Sequence, residues 1–238
     1  MNTPNRSTAV MQRRCVAPDE LDDFPTPPWA TRAVLRWLAE RSLAHRAMTC
    51  REPAANRGYM VKPLAEFFAS VDASDVHDYG VGFPVRDYLF GAAPYPVDWT
   101  FCNPPFRLAE QFIARARDTS RAGVAMILRG AFEEGTGRYE RLYSRTPPDF
   151  KLVFTERVVM LRGRLVRAGE VDPFAEKPGT KASTATSYNV FIWLTDGDGD
   201  TRVRWIPPCR LEMEREGDYP DYGIMAANKG SPGLFATS

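Results

Sequence analysis

The chain has 238 residues, 31 Lys and Arg against 30 Asp and Glu, a formal charge of +1 and 44% apolar residues. That is enough material for one large α/β domain or two small ones, and the near balance of charge excludes a protein held to nucleic acid by bulk positive charge. No apolar run reaches the length of a membrane span, the first twenty residues lack the apolar core of a signal peptide, and Cys15, Cys50, Cys102 and Cys209 form no CxxC pair. A soluble cytoplasmic protein with reduced thiols and no metal is the expectation.

Residues 1–20 and 217–238 are polar and rich in Gly and Pro without periodicity, so flexible ends are expected to flank a single domain over 21–216. Behind Thr26-Pro27-Pro28, the series Trp29, Ala33, Trp37 and Ala30, Val34, Leu38 recurs at i, i+4 and predicts a helix over 28–44, with proline where a first turn tolerates it. A short strand follows over 47–52. After a turn at Asn56-Arg57-Gly58, Met60, Leu64, Phe67 and Phe68 fit one helical face. Strands are predicted over 71–76 and 99–102. Leu108, Phe112, Ile113 and Ala116 mark the next helix, and Gly123 to Leu128 reads as a fully buried strand.

This alternation predicts an α/β, Rossmann-like fold: a mostly parallel sheet with helices on both faces. Beyond residue 150 the pattern changes to strands over 152–155, 158–161, 188–195 and 202–206 without helices between them, so an antiparallel C-terminal end is expected. The segment 162–187, rich in Gly, Pro, Lys, Ser and Thr, reads as a long mobile loop. Asp196-Gly197-Asp198-Gly199-Asp200 has the composition of a calcium loop without its ligand spacing and is read as a hairpin turn.

In open α/β sheets ligands bind beyond the carboxyl ends of the strands, so the residues after each strand carry the functional signal. Asn103-Pro104-Pro105-Phe106 follows the 99–102 strand. An aryl amine is a weak nucleophile because its lone pair is delocalised into the ring, and two acceptors draw that pair back onto nitrogen: the Asn103 side-chain oxygen and the Pro104 carbonyl. Each of these residues precedes a proline and is therefore pushed toward extended backbone, while Phe106 offers a ring face for a base swung out of its helix. Asp75 stands at the position, about 20 residues beyond a glycine-containing turn, where a carboxylate grips a ribose diol. That turn is not GxGxxG, and Glu52 beside it would repel a pyrophosphate but suits a cationic nucleoside.

Taken in order, Thr26-Pro27-Pro28, Glu52-Pro53-Ala54 with Gly58, Asp75, Asp87-Tyr88 and Asn103-Pro104-Pro105-Phe106 resemble the motifs of S-adenosylmethionine-dependent amino-methyltransferases, nearest to phage-type DNA adenine N6-methyltransferases. The resemblance covers about residues 24–115 and returns around 185–193. It implies that Thr26 and Pro27 border the methionine end of S-adenosylmethionine and that Glu52, Ala54 and Gly58 line its turn. Asp75 would bind the ribose, Asp87 with Tyr88 the cofactor's adenine, and Asn103, Pro104, Pro105 and Phe106 the target base. The chain departs from the pattern at Asn56, where the family has a second glycine; Asn tolerates positive φ, so the turn is kept, with a side chain added beside the cofactor.

The implied activity is methyl transfer to the exocyclic N6 of adenine in DNA. RNA adenine, a protein glutamine amide, and a catalytically silent module that keeps the fold stand as alternatives. Phosphate contacts would have to come from the local basic group Arg162, Arg164, Arg167, Lys177 and Lys181.

Overall fold

The computed structural model describes residues 21–223. The N-terminal segment expected to be flexible, and the expected tail from 224 onward, lie outside the described residues.

Seven strands form one mixed sheet: β1 (Thr49–Glu52), β2 (Ser70–Ala73), β3 (Val97–Cys102), β4 (Ser120–Arg129), β5 (Phe150–Phe154), β6 (Tyr188–Leu194) and β7 (Arg202–Ile206), in the order β2-β1-β3-β4-β6-β5-β7. The strands from β2 through β4 are parallel, β6 is antiparallel to both β4 and β5, and β7 runs parallel to β5. The expected α/β sheet with an antiparallel C-terminal part is therefore what the chain forms. After β1 the chain moves outward to β2, then crosses back to β3 on the other flank of β1. This reversal is the topological switch point, and it opens a crevice at the carboxyl ends of β1 and β3.

Helix α1 (Pro28–Ala39) and helix α2 (Val61–Phe67) cover one face; helix α3 (Ala109–Asp118) covers the other. α1 buries Trp29, Val34, Trp37 and Leu38 against Leu152, Val190 and Ile192 of the sheet, whereas α3 buries Phe112, Ile113 and Ala116 against Val124, Met126 and Trp193. α1 stops five residues short of the predicted end. Ser42 takes φ +55°, and the Leu43 amide bonds back to the Leu38 carbonyl at 3.0 Å, a left-handed closure that i, i+4 periodicity does not register.

The strand expected over 158–161 does not form. Val158, Val159 and Met160 are buried, but Val158 and Met160 join the core under α1 while Val159 packs with Val166 and Ala182 in a separate cluster. Their alternation is real, with successive side chains buried on opposite sides, but the segment pairs with no strand of the sheet. The segment expected to be a long loop has its own framework: two isolated bridges, that small cluster, and a bidentate Arg164–Asp172 ion pair at 2.6 Å. The acidic 196–200 turn joins β6 to β7 and wraps the buried Asp149 carboxylate, which accepts from the amides of Leu194 and Gly199 at 2.7 and 3.1 Å. A Cβ on Gly197 would lie 2.0 Å from that carboxylate, so glycine is required there.

The expected flexible tail is anchored at its start. Asp218 is 2% exposed and bonds the Arg32 guanidinium of α1 at 2.6 and 2.8 Å, while Glu66 takes the other edge of the same group at 2.8 Å. Removing the Asp218 charge leaves the buried guanidinium to the Glu66 carboxylate and takes a bidentate anionic partner from its other edge. Asp218→Asn is expected to lower the unfolding free energy in urea by about 3 kcal/mol at neutral pH.

Candidate active site

The crevice at the switch point is lined by Phe24, Pro25 and Thr26, by Ala54, Ala55 and Asn56 after β1, by Asp75 and Val76 after β2, by Asp87 and Tyr88, and by Asn103 and Pro105 after β3. Thr26, Ala54, Asp75, Asp87, Tyr88, Asn103 and Pro105 of the predicted set thus converge on one cavity. Pro27, Glu52 and Pro104 are buried beneath it, and Gly58 (φ +83°) closes the turn after β1.

Asn103 is fixed by its nitrogen. Its Nδ2 donates to the Phe24 carbonyl at 2.9 Å and to the Thr26 hydroxyl at 3.0 Å, with the Met160 sulfur 3.7 Å away. The amide then has one orientation, with Oδ1 left as a free acceptor. The next turn is held from the same side: the Phe106 amide donates to the Asp22 carboxylate at 2.8 Å, and the Phe24 and Phe106 ring centroids lie 5.5 Å apart.

Asp75 is buried, and both its oxygens accept backbone bonds, from Asn56 N at 2.8 Å and His77 N at 2.9 Å. Its carboxylate therefore sets the shape of the turn after β1 while standing at the crevice. Asn56 takes φ +50°, as its type permits. Its side chain turns to the N-terminal segment: Nδ2 donates to Asp23 at 2.8 Å, and Arg57 binds the same carboxylate at 3.0 Å. Asp22 and Asp23 thus make residues 21–26 a strap pinned to the turn of residues 103–106 by one carboxylate and to the turn after β1 by the next. The Asp23 carbonyl also accepts from Gly163 N at 2.8 Å.

On the far wall, Asp87 is exposed and caps Leu89 N at 2.9 Å. Tyr88 is 7% exposed, packed against Phe112 with its centroid at 5.1 Å. Burial raises the Tyr88 phenol pKa above its ordinary value.

Glu52 is fully buried. Its Oε1 accepts from Ala54 N at 3.1 Å, Oε2 has no partner, and the Cys102 thiol lies against it. Burial, in the first place, raises its pKa from the ordinary carboxyl range to about 8.

The predicted basic group is mostly engaged within the protein. Arg164 is paired with Asp172, and Arg167 with Glu170 at 3.2 Å and Glu214 at 3.4 Å; the Arg162 carbonyl accepts from Arg164, and Lys177 and Lys181 are exposed. Four contributors escaped the sequence: Asp22, Asp23, Met160 and Arg129. The aspartates precede the first helix, where no strand-end rule applies. Arg129 closes β4, and the rule that selects Asn103 points to it equally.

No family model matches the chain, and no curated protein matches it. Among solved structures, the fold is similar to that of a candidate RNA methyltransferase from Pyrococcus horikoshii (TM-score 0.51, 17% identity, 72% of this chain and 87% of that one). It is also similar to a type I restriction-modification system methyltransferase subunit from Streptococcus thermophilus (TM-score 0.55, 10% identity, 89% of this chain). The chain spans 53% of that subunit's length. At these identities the likeness is one of fold: the chain has the fold of these methyltransferases.

The raised Glu52 pKa has a defined sign. The folded state holds a proton that the unfolded state releases from about pH 4.5 upward, so this group's contribution to stability falls as pH rises through 4.5 to about 8. Glu52→Gln removes that dependence. The stability advantage of the variant over the wild type in urea unfolding should be near zero below pH 4.5, grow across the window and level off above pH 8.

Proposed function

We propose that the protein is an S-adenosylmethionine-dependent methyltransferase acting on the exocyclic N6 amine of adenine in DNA. The observation that carries this is Asn103: it lines the crevice of a methyltransferase fold with its amide nitrogen anchored and its oxygen unbonded among the described residues. The names of both similar structures agree with nucleic acid as the substrate class, one naming RNA and the other a restriction-modification system; DNA is chosen here on the resemblance of the Thr26 to Phe106 motif series.

The crevice fits the cofactor class. Asp75 stands where ribose hydroxyls would be held, Asp87 and Tyr88 offer an acceptor and an aromatic wall, and Pro53, Met60, Leu108 and Phe112 supply apolar lining. Asp22, Asp75 and Asp87 give it an acidic rim suited to a cationic nucleoside. When bound, S-adenosylmethionine supplies a methyl group on sulfur already activated for transfer.

The chain's own residues do the rest. Asn103 Oδ1 and the Pro104 carbonyl accept the two N–H bonds of the target amine, concentrate its lone pair on nitrogen and aim it in line with the methyl carbon. The amine proton is lost after transfer, since the nitrogen becomes acidic only once a fourth bond has formed. The strap excludes water from the anchored side of Asn103.

Labelled methyl transfer to duplex DNA, single-stranded DNA, RNA and a glutamine peptide, run side by side, tests this reading. Label in DNA adenine is expected; label confined to RNA or peptide reassigns the substrate, and absence of cofactor binding by calorimetry sinks the enzymatic reading altogether. Asn103→Ala should lower kcat by about 10²–10³ while leaving cofactor affinity intact. Asp75→Asn should instead weaken the cofactor, and an effect on DNA affinity alone would remove Asp75 from the ribose site.

A further inference from the structure

Arg129 ends β4, the strand adjacent to β3, and so stands on the same sheet edge as Asn103. Its guanidinium carbon lies 3.5 Å from the centroid of the Phe106 ring and 5.3 Å from that of Phe24. Among the described residues no carboxylate pairs with it, and its buried Nε has no hydrogen-bond acceptor. Tyr188, its cross-strand partner on β6, is buried; burial raises the phenol pKa, and the Arg129 guanidinium, as a neighbouring charge and as a hydrogen-bond partner of the phenol, opposes that rise.

This environment differs from that of the other arginines of this edge. Arg164 and Arg167 are tied to carboxylates and act as struts. Arg129 is held by ring faces and by the Tyr188 phenol, neutral contacts that an anionic ligand can displace. A guanidinium is planar, delocalised and cationic, so it covers the ring face that Phe106 would offer to a base. Once displaced, it is an unpaired bidentate donor beside a bound nucleotide, whose nearest complementary group is the phosphate.

We propose that Arg129 positions the target nucleotide: its guanidinium yields the Phe106 face to the incoming base and takes the phosphate of that same nucleotide. The assignment rests on the proposed nucleic-acid reading and adds a residue outside the Asn103-Pro104-Pro105-Phe106 turn. It makes Arg129 a positioning residue, with the amine itself held by Asn103 and Pro104.

The test uses the full chain with oligo(dA) as the probe, comparing wild type, Arg129→Gln and Arg129→Lys. Oligonucleotide affinity is followed by anisotropy across a salt series, transfer is followed as separate kcat and KM, and cofactor affinity is measured by calorimetry. In Arg129→Gln, affinity should fall and KM rise by about tenfold, and the log–log salt slope should flatten by about 0.7, the value for one lost phosphate contact on a single strand. Arg129→Lys should keep the wild-type slope, because a point charge still meets phosphate but cannot stack as a plane. Cofactor affinity should be unchanged in both.

An unaltered slope and KM in Arg129→Gln, or a flattened slope in Arg129→Lys, overturns the assignment while leaving the methyltransferase reading in place. A parallel loss of cofactor affinity also overturns it, since that would mark Arg129 as structural. Wild-type protein that binds the cofactor yet neither binds nor methylates oligo(dA) overturns the nucleic-acid reading and this assignment together.

Discussion

The site depends on which end of one amide faces the substrate. An asparagine presents two donors on one side and one acceptor on the other, and only the acceptor can strengthen an amine nucleophile. Here the Phe24 carbonyl and the Thr26 hydroxyl occupy both N–H bonds of Asn103, and because the carbonyl can only accept, the wrong orientation would set Oδ1 against the Phe24 oxygen in a half-buried site. Pro25, Thr26 and Pro27 are themselves buried and lead directly into α1, whose Trp29 and Leu38 are sunk in the core. The chemical polarity of the crevice is thus anchored, through a few residues, to the largest apolar cluster of the protein.

A second constraint sets the opposite wall. The parallel register places Arg51 of β1 beside Asp72 of β2, and the pair is joined at 2.9 Å with Arg51 almost fully buried. Arg86 binds the other oxygen of Asp72 at 2.6 Å, tying the chain just before Asp87 to the sheet edge. Burial of these charges carries a desolvation cost that their mutual geometry must offset, so their effect lies less in net stability than in fixing where Asp75 and Asp87 stand. The next residue of β1, Glu52, has no such partner and meets its burial by holding a proton instead.

Much of this was legible in the sequence because two periodicities carry it. The i, i+4 series of Trp29, Ala33 and Trp37 and the apolar run from Gly123 to Leu128 each have one physical source, burial on one stripe or on both faces. The crevice position of residues just beyond strand ends, such as Asp75 and Asn103, was legible because it follows from topology and needs no side-chain geometry. What escaped was set by long-range pairing. Asp23 has meaning only once Asn56 lies across from it, and Met160 only once its loop folds over Asn103. The 158–161 stretch misled because burial in two clusters imitates the alternation of a strand.

The paired aspartates of the strap have a thermodynamic corollary. Adjacent residues hold the turn after β1 and the turn that carries Phe106, so the two grips share one stretch of backbone. Two ligands seated on those turns would each feel the other's presence through a shared mechanical element. By reciprocity, the factor by which the first changes the affinity of the second equals the factor by which the second changes that of the first. A short acidic dipeptide thereby gives the two turns one common anchor.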